Sequence, residues 1–102
     1  MNKIEYIGDH KLTDNELTLF NLLFSILYYS DPEYKIKLVK KDNEIIGHIY
    51  PSVQDKKQAL INNLLHINRT KKLRIRYSSS LAISKTISFR IPFDNLNNLV
   101  SL

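Results

Sequence analysis

An apolar run near the amino terminus, LTLFNLLFSILYY from Leu17 to Tyr29, can be accommodated in only a few ways. It is shorter than the ~20 residues that a helix needs to cross a bilayer, and polar residues interrupt it at Thr18, Asn21 and Ser25. Apolar side chains surround most of the helical circumference, which is typical of a helix buried in a protein. The run therefore predicts a core helix and no membrane partner.

The ends of this helix are marked by local signals. Thr13 and Glu16 have the spacing of a capping box, in which each side chain binds the backbone N–H of the other residue. Pro32 disfavours helical backbone angles at Asp31. We therefore expect the helix to begin after Thr13 and to end at Asp31.

Segments of alternating apolar and polar residues predict strands on both sides of this helix. They are Lys3 to Ile7, Tyr34 to Leu38, Ile45 to Tyr50, Lys72 to Tyr77 and Lys85 to Ile91. Asp42-Asn43 offers a tight turn between the second and third strands, so that this pair is expected to form a β-hairpin. A second hairpin is expected from the last two strands.

Two further helices complete the prediction. Ser52 can cap a helix whose apolar face carries Leu60, Ile61 and Leu64, and Asp94 can cap a short terminal helix. The expected order is β-α-β-β-α-β-β-α. Helices at these positions can pack on one face of a mostly antiparallel sheet, which predicts a single two-layer α+β domain over residues 1–102.

Cysteine usage and the amino terminus bear on cellular location. The chain has no cysteine, which excludes disulfides and thiolate metal sites and favours a reducing compartment. The first residues, MNKIEYIGDHK, lack the apolar region of a signal peptide. We therefore expect a cytoplasmic protein. Its bias to Ile, Lys and Asn fits an AT-rich source, which includes a low-GC bacterium, its phages or plasmids, and an AT-rich eukaryotic or organellar genome. Of these, the leading hypothesis takes a phage or mobile element.

The chain carries no recognisable catalytic or metal-binding motif. Its histidines, His10, His48 and His66, have no second His or Cys at a metal-ligand interval. Gly8 and Gly47 are isolated, so a glycine-rich loop that cradles phosphates is excluded. We therefore expect no enzymatic activity, no cofactor and no metal.

Positive charge is concentrated in the last third of the chain. Residues 1–70 carry nine Lys and Arg against nine Asp and Glu, whereas residues 71–102 carry six against one. Because strand side chains alternate, Lys72, Arg74 and Arg76 are expected to share one face, with Arg90 opposite Lys72 or Arg74 on the next strand. The predicted basic face comprises Lys35, Lys37, Lys72, Arg74, Arg76, Lys85 and Arg90.

This basic face favours an anionic partner, because like charges side by side do not stabilise a sheet. Arginine forks suit phosphate or carboxylate groups. The leading hypothesis is a small accessory or inhibitory protein that binds nucleic acid or nucleoprotein through backbone contacts. An acidic protein surface is another partner, and a solvated face that discourages aggregation is the alternative without a partner.

The first helix suggests a different kind of interface. Its apolar circumference is wider than one sheet face covers, so Phe20, Phe24, Tyr28 and Tyr29 are candidates for contact with another protein or a second copy in a homodimer. The alternative is that the second helix and the carboxy-terminal segment cover these side chains within one chain.

Overall fold

The computed structural model describes residues 4–6, 13–78, 85–92 and 94. The strands are β1 (Ile4–Tyr6), β2 (Lys35–Lys41), β3 (Glu44–Tyr50), β4 (Arg76–Ser78) and β5 (Ile87–Pro92). The helices are α1 (Asp14–Phe24), α2 (Leu27–Ser30) and α3 (Lys57–Lys71), and a 3₁₀ turn over Gln54–Lys56 precedes α3.

The described strands form one sheet in the order β1-β2-β3-β5-β4. β1 lies parallel to β2, and the other three pairings are antiparallel. The predicted α+β class with a mostly antiparallel sheet is therefore confirmed. The helix predicted after Asp94 lies outside the described residues, so the complete element order stays a prediction.

The capping box at the start of α1 is confirmed. The Glu16 backbone N–H donates to the Thr13 hydroxyl over 3.1 Å, and the Thr13 N–H donates to the Glu16 carboxylate over 2.8 Å. The same carboxylate lies 3.9 Å from the ammonium of Lys40 on β2. Glu16 therefore both starts the helix and contacts the sheet.

The predicted first helix is divided at Ser25 and Ile26. The Ser25 hydroxyl donates to the carbonyl of Leu22 over 2.7 Å, and such bonding to the preceding turn competes with regular helix geometry. The separate helix α2 is attached to α3 by Asn63, whose amide donates to the Ile26 carbonyl and the Ser30 hydroxyl.

The β2–β3 hairpin has the predicted two-residue turn, with Lys41 paired to Glu44. Asp42 has a φ of 54°, in the left-handed region that Asp tolerates better than most residues. The opposite end of the hairpin is closed by Asp31, whose carboxylate accepts the Ser52 N–H and the Ser52 hydroxyl, each over 2.7 Å. The residues before β2 and after β3 are thus joined directly.

Asp31 is 1 % exposed. Burial by itself would raise the pKa of this carboxyl, but hydrogen bonds from Ser52 and the Glu33 N–H, together with the charge of Lys56, outweigh it and lower the pKa. Ser52 was predicted to cap the following helix. It binds Asp31 instead, and α3 begins only at Lys57 after the 3₁₀ turn.

The predicted strand from Lys72 to Tyr77 is wrong over residues 72–75. Lys72 ends α3 with a φ of 52°, and Arg74 has a φ of 58°, so the chain makes two left-handed bends where an extended strand was expected. The Asn68 side chain holds this segment by accepting the Ile75 N–H over 2.7 Å. Only from Arg76 does the chain join the sheet.

Buried side chains of α1, α2 and α3 form one core cluster with the inward side chains of β2, β3 and β5. An aromatic group stands at its centre, with ring centroids 5.8 Å apart for Phe20 and Phe24 and 5.5 Å apart for Phe24 and Phe89. Tyr34 is also buried, which raises the pKa of its phenol, and it donates to the Phe24 carbonyl. The other buried apolar residues include Leu27, Ile36, Leu38, Ile45, Ile49, Leu60, Leu64, Ile67, Ile87 and Ile91.

Candidate anion-binding face of the sheet

The candidate site is the sheet face opposite the core, which we call the outer face. It consists of the residues of β2, β3, β4 and β5 that alternate with the inward ones. Cross-strand pairing arranges them in four rows: Lys35 and Tyr50; Lys37, His48, Ser88 and Ser78; Val39, Ile46, Arg90 and Arg76; Lys41, Glu44 and Pro92. These rows contain five basic residues and one acidic residue. At the edge beside β2, β1 pairs in the register Glu5 with Lys37.

The β2 side of the outer face carries lysines. Lys35 is exposed and Lys37 is half-buried, because its ammonium lies 5.4 Å from the centre of the Tyr50 ring. A cation above an aromatic ring is held by attraction to the π-face. Lys41 extends the same row of alternate residues at the turn. Lys35 and Lys37 therefore lie on one face, as predicted.

The β4–β5 side of the outer face carries a pair of arginines. Arg76 and Arg90 are direct cross-strand partners, in place of the predicted pairing of Arg90 with Lys72 or Arg74. Two like charges in these positions repel each other. Glu44 of β3 lies beside both, with one carboxylate oxygen 2.7 Å from Arg90 Nη1 and the other 3.7 Å from Arg76 Nη2.

The other predicted basic residues lie elsewhere. Lys72 and Arg74 sit in the left-handed bends after α3, so they do not form one row with Arg76. Charged and apolar residues alternate in this segment as they would in a strand, although its backbone is bent. The alternation therefore led to a wrong prediction of a strand. Lys85 is exposed and precedes β5, outside the regular strand.

A depression of about 430 Å³ lies over the β3–β5–β4 part of the outer face. Its shape follows from residue size, because Ser78 and Ser88 are small while Arg76, Arg90 and His48 are long. His48 Nδ1 and the Ser88 hydroxyl share a hydrogen bond of 3.0 Å. The remaining lining residues are Ile46, Tyr77 and Phe89, so the lining contains no acidic residue.

Sequence reasoning missed Glu44, His48 and Ser88 as members of this site. Alternation in the third predicted strand does place Glu44 and His48 on one face. The sequence pattern does not show which strand lies beside β3. Only the pairing of β3 with β5, across the whole of α3, brings these residues to Ser88 and Arg90.

The predicted protein-contact residues of the first helix fall into two groups. Phe20 and Phe24 are fully buried in the core, so they are not available to a partner. Tyr28 and Tyr29 are exposed, Tyr29 by 86 %, and their rings meet edge to face. Leu22, which was not singled out, is 69 % exposed.

The part of the chain that the structure describes contains no group of three or more His, Cys, Asp or Glu residues that could hold a metal ion. Among those residues, none of the helices has the length and apolar character required to cross a membrane. No protein family model matches the chain, and no curated protein matches it in sequence.

Proposed function

We propose that the protein is a small, non-enzymatic accessory or inhibitory protein that binds nucleic acid or nucleoprotein through the outer face of its sheet. In this proposal the domain has two layers, with the helices on the core side and the outer face presented to the partner. The cytoplasm of a cell that hosts a phage or mobile element is the expected setting. The observation that carries the proposal is the gathering of five basic residues on one sheet face.

The arrangement of these residues favours contacts to a phosphate backbone. Lysines supply mobile point charges along β2, and arginines supply planar forks at β4 and β5. In the described part of the chain the outer face is built from strands, so contacts to phosphates support affinity without reading base sequence. Tyr50 adds an aromatic ring of the kind on which bases stack, once the Lys37 ammonium leaves its face for a phosphate.

Salt dependence of binding tests the proposal. Fluorescence anisotropy with labelled single-stranded and double-stranded DNA and RNA should give a log K that falls against log salt with a slope of about −3 to −4, if roughly four phosphates are contacted. A flat salt profile with all these ligands would contradict a nucleic-acid partner and point to an acidic or apolar protein surface.

Charge-matched variants locate the binding face. Lys35→Ser combined with Lys37→Ser removes two charges from the outer face and should make the salt slope shallower by about 1 to 2. Arg69→Ser combined with Lys71→Ser removes the same charge from the last turn of α3 and should leave the slope nearly unchanged. If the salt slope became equally shallow in both double variants, net charge and not the outer face would govern binding.

A second candidate function is association with another protein through the surface formed by α1 and α2. Leu22 and Tyr29 are mostly exposed although both are large and apolar in part. Exposed apolar patches mark interaction sites when they are contiguous. In this alternative the protein is an interaction module or homo-oligomer, and Leu22 takes the place that was predicted for Phe20 and Phe24.

A further inference from the structure

We propose that Arg76, Arg90, Ser78, Ser88 and His48 form a phosphate-binding subsite, and that Glu44 is an internal competitor which a ligand phosphate displaces from the two arginines. The phosphate belongs to a nucleic-acid strand, so this inference rests on the proposed function. It goes further by naming where a phosphate binds and what must move to admit it.

The contact of Glu44 with the arginines is uneven. One carboxylate oxygen is in close contact with Arg90, at 2.7 Å, while the other is 3.7 Å from Arg76, beyond hydrogen-bonding distance. The Arg76 side chain is 74 % exposed. A guanidinium has five N–H donors, so both arginines can bind another anion while Glu44 is present or after it has left.

The groups that line the depression are suited to an anion. Arg76 and Arg90 provide positive charge, and Ser78 and Ser88, which carry hydroxyls, line the same depression. Hydroxyls and guanidinium groups both donate hydrogen bonds, and phosphate oxygens accept them. The hydrogen bond with His48 fixes the position of the Ser88 hydroxyl.

The charges around Glu44 favour its replacement by a phosphate at the two arginines. Glu44 carries one negative charge between two arginines, so one positive charge at this position is not neutralised by it. Glu44 is the first residue of β3, next to the exposed turn at Asp42, and its side chain is 25 % exposed. It can therefore turn toward water when a phosphate takes its place, because a carboxylate at such a position is readily hydrated.

The test compares two variants that remove the same charge from the same end of the sheet. Glu44→Gln removes the internal competitor, whereas Asp42→Asn removes an exposed carboxylate in the adjacent turn, at a φ that Asn tolerates. With a labelled oligonucleotide at fixed salt, we expect Glu44→Gln to bind about tenfold more tightly than the wild type, and Asp42→Asn to change affinity less than about threefold. Thermal unfolding confirms that both variants are folded.

A second variant tests the subsite without changing its charge. Ser88→Val removes the Ser88 hydroxyl and is expected to weaken binding about fivefold. Thr18→Val, at an exposed position of α1, is the matched control and should bind as the wild type does. Amide chemical shifts on titration with the oligonucleotide should move first at Arg76, Ser88 and Arg90.

The outcomes separate the two proposals. Suppose that the wild type binds nucleic acid, but that Glu44→Gln has the same affinity as Asp42→Asn and Ser88→Val has the same affinity as Thr18→Val. The subsite is then refuted, and the wider outer face remains the binding surface. If the wild type binds no nucleic acid at any salt concentration, both the proposed function and the subsite fall.

Discussion

Gly47 lies directly under the ring of its cross-strand partner Phe89. A Cβ atom added to Gly47 would stand 2.1 Å from Cζ of Phe89 and 2.3 Å from its Cε1. The ring has little room to move aside, because Phe89 is buried and its ring also packs against that of Phe24. The absence of a side chain at residue 47 is therefore what allows the aromatic group to occupy the centre of the core.

We predict that Gly47→Ala lowers the free energy of unfolding by about 1–3 kcal/mol, the usual cost of overpacking a core. Elsewhere in a strand the same substitution stabilises, because glycine loses more backbone entropy on folding. Urea unfolding followed by circular dichroism measures the change. Combining Gly47→Ala with Phe89→Leu should restore part of the loss relative to the sum of the single changes, and strict additivity would argue against direct contact.

The buried carboxylate of Asp31 predicts that the stability of the protein depends on pH in the acidic range. Its folded pKa lies below the ordinary value of 3.8, so its contribution to stability is complete above that pH and is lost as the pH falls through the lowered pKa. Asp31→Asn should destabilise the protein at neutral pH by about 1–3 kcal/mol and weaken the acid dependence below pH 4.

Thermal unfolding of both proteins between pH 2 and pH 7 provides the measurement. Asp55→Asn, at an exposed position of the 3₁₀ turn, is the control and should follow the wild type. Parallel acid profiles for the wild type and Asp31→Asn would show that another group is responsible.

The left-handed backbone at Arg74 predicts an unusual response to glycine. A left-handed conformation costs a residue with a side chain roughly 1–2 kcal/mol, and glycine avoids that cost at the expense of roughly 0.5–1 kcal/mol of unfolded-state entropy. Arg74→Gly should therefore leave the thermal midpoint unchanged or raise it, while Arg76→Gly, within β4, should lower it. A similar fall in both variants would mean that residue 74 is extended after all.

The exposed surface of α1 and α2 predicts association at micromolar concentration if the second candidate function holds. Light scattering should then give a mass above the 12.0 kDa of one chain. Leu22→Ser combined with Tyr29→Ser should return the protein to a monomer, because each large buried side chain contributes about 1.5–3 kcal/mol. Val53→Ser removes an exposed apolar residue elsewhere and should not do so. A wild type that is monomeric throughout rejects the homo-oligomer.

Features decided by residues close together in the chain could be predicted from the sequence. Thr13 and Glu16 form the capping box at the predicted spacing, and the turn at Asp42-Asn43 closes the predicted hairpin. Both depend on interactions between residues that are close together in the chain, so the local sequence is sufficient to predict them. The lysines of β2 could be assigned to one face for the same reason.

Features decided by distant partners could not be predicted. Serine is a residue type that often caps helices, but the Ser52 hydroxyl donates instead to Asp31, 21 residues away. The alternation from Lys72 to Arg76 resembles a strand, but Asn68 and two left-handed bends determine its course. In both cases a hydrogen bond to a side chain outside the predicted element overrides the local propensity.

The candidate site illustrates the same limit. An excess of charge in residues 71–102 was visible, but its partial neutralisation by Glu44 was not, because Glu44 and Arg90 are 46 residues apart. Burial of Phe20 and Phe24 also depends on which face the sheet presents to α1. Long-range pairing and packing decide both matters, and no local pattern specifies them.

The hydrogen bonds between Asp31 and Ser52 bear on the order in which the chain folds. They and the β2–β3 ladder join residues no more than 21 positions apart, so the entropy lost in closing this loop is small. β5 reaches β3 only across α3, pairing Ile91 with Ile45. We expect the hairpin to assemble first, and stopped-flow refolding of Asp31→Asn should then show slower folding with little change in unfolding rate. One carboxylate in a loop thereby acts on the speed of sheet assembly as well as on its stability.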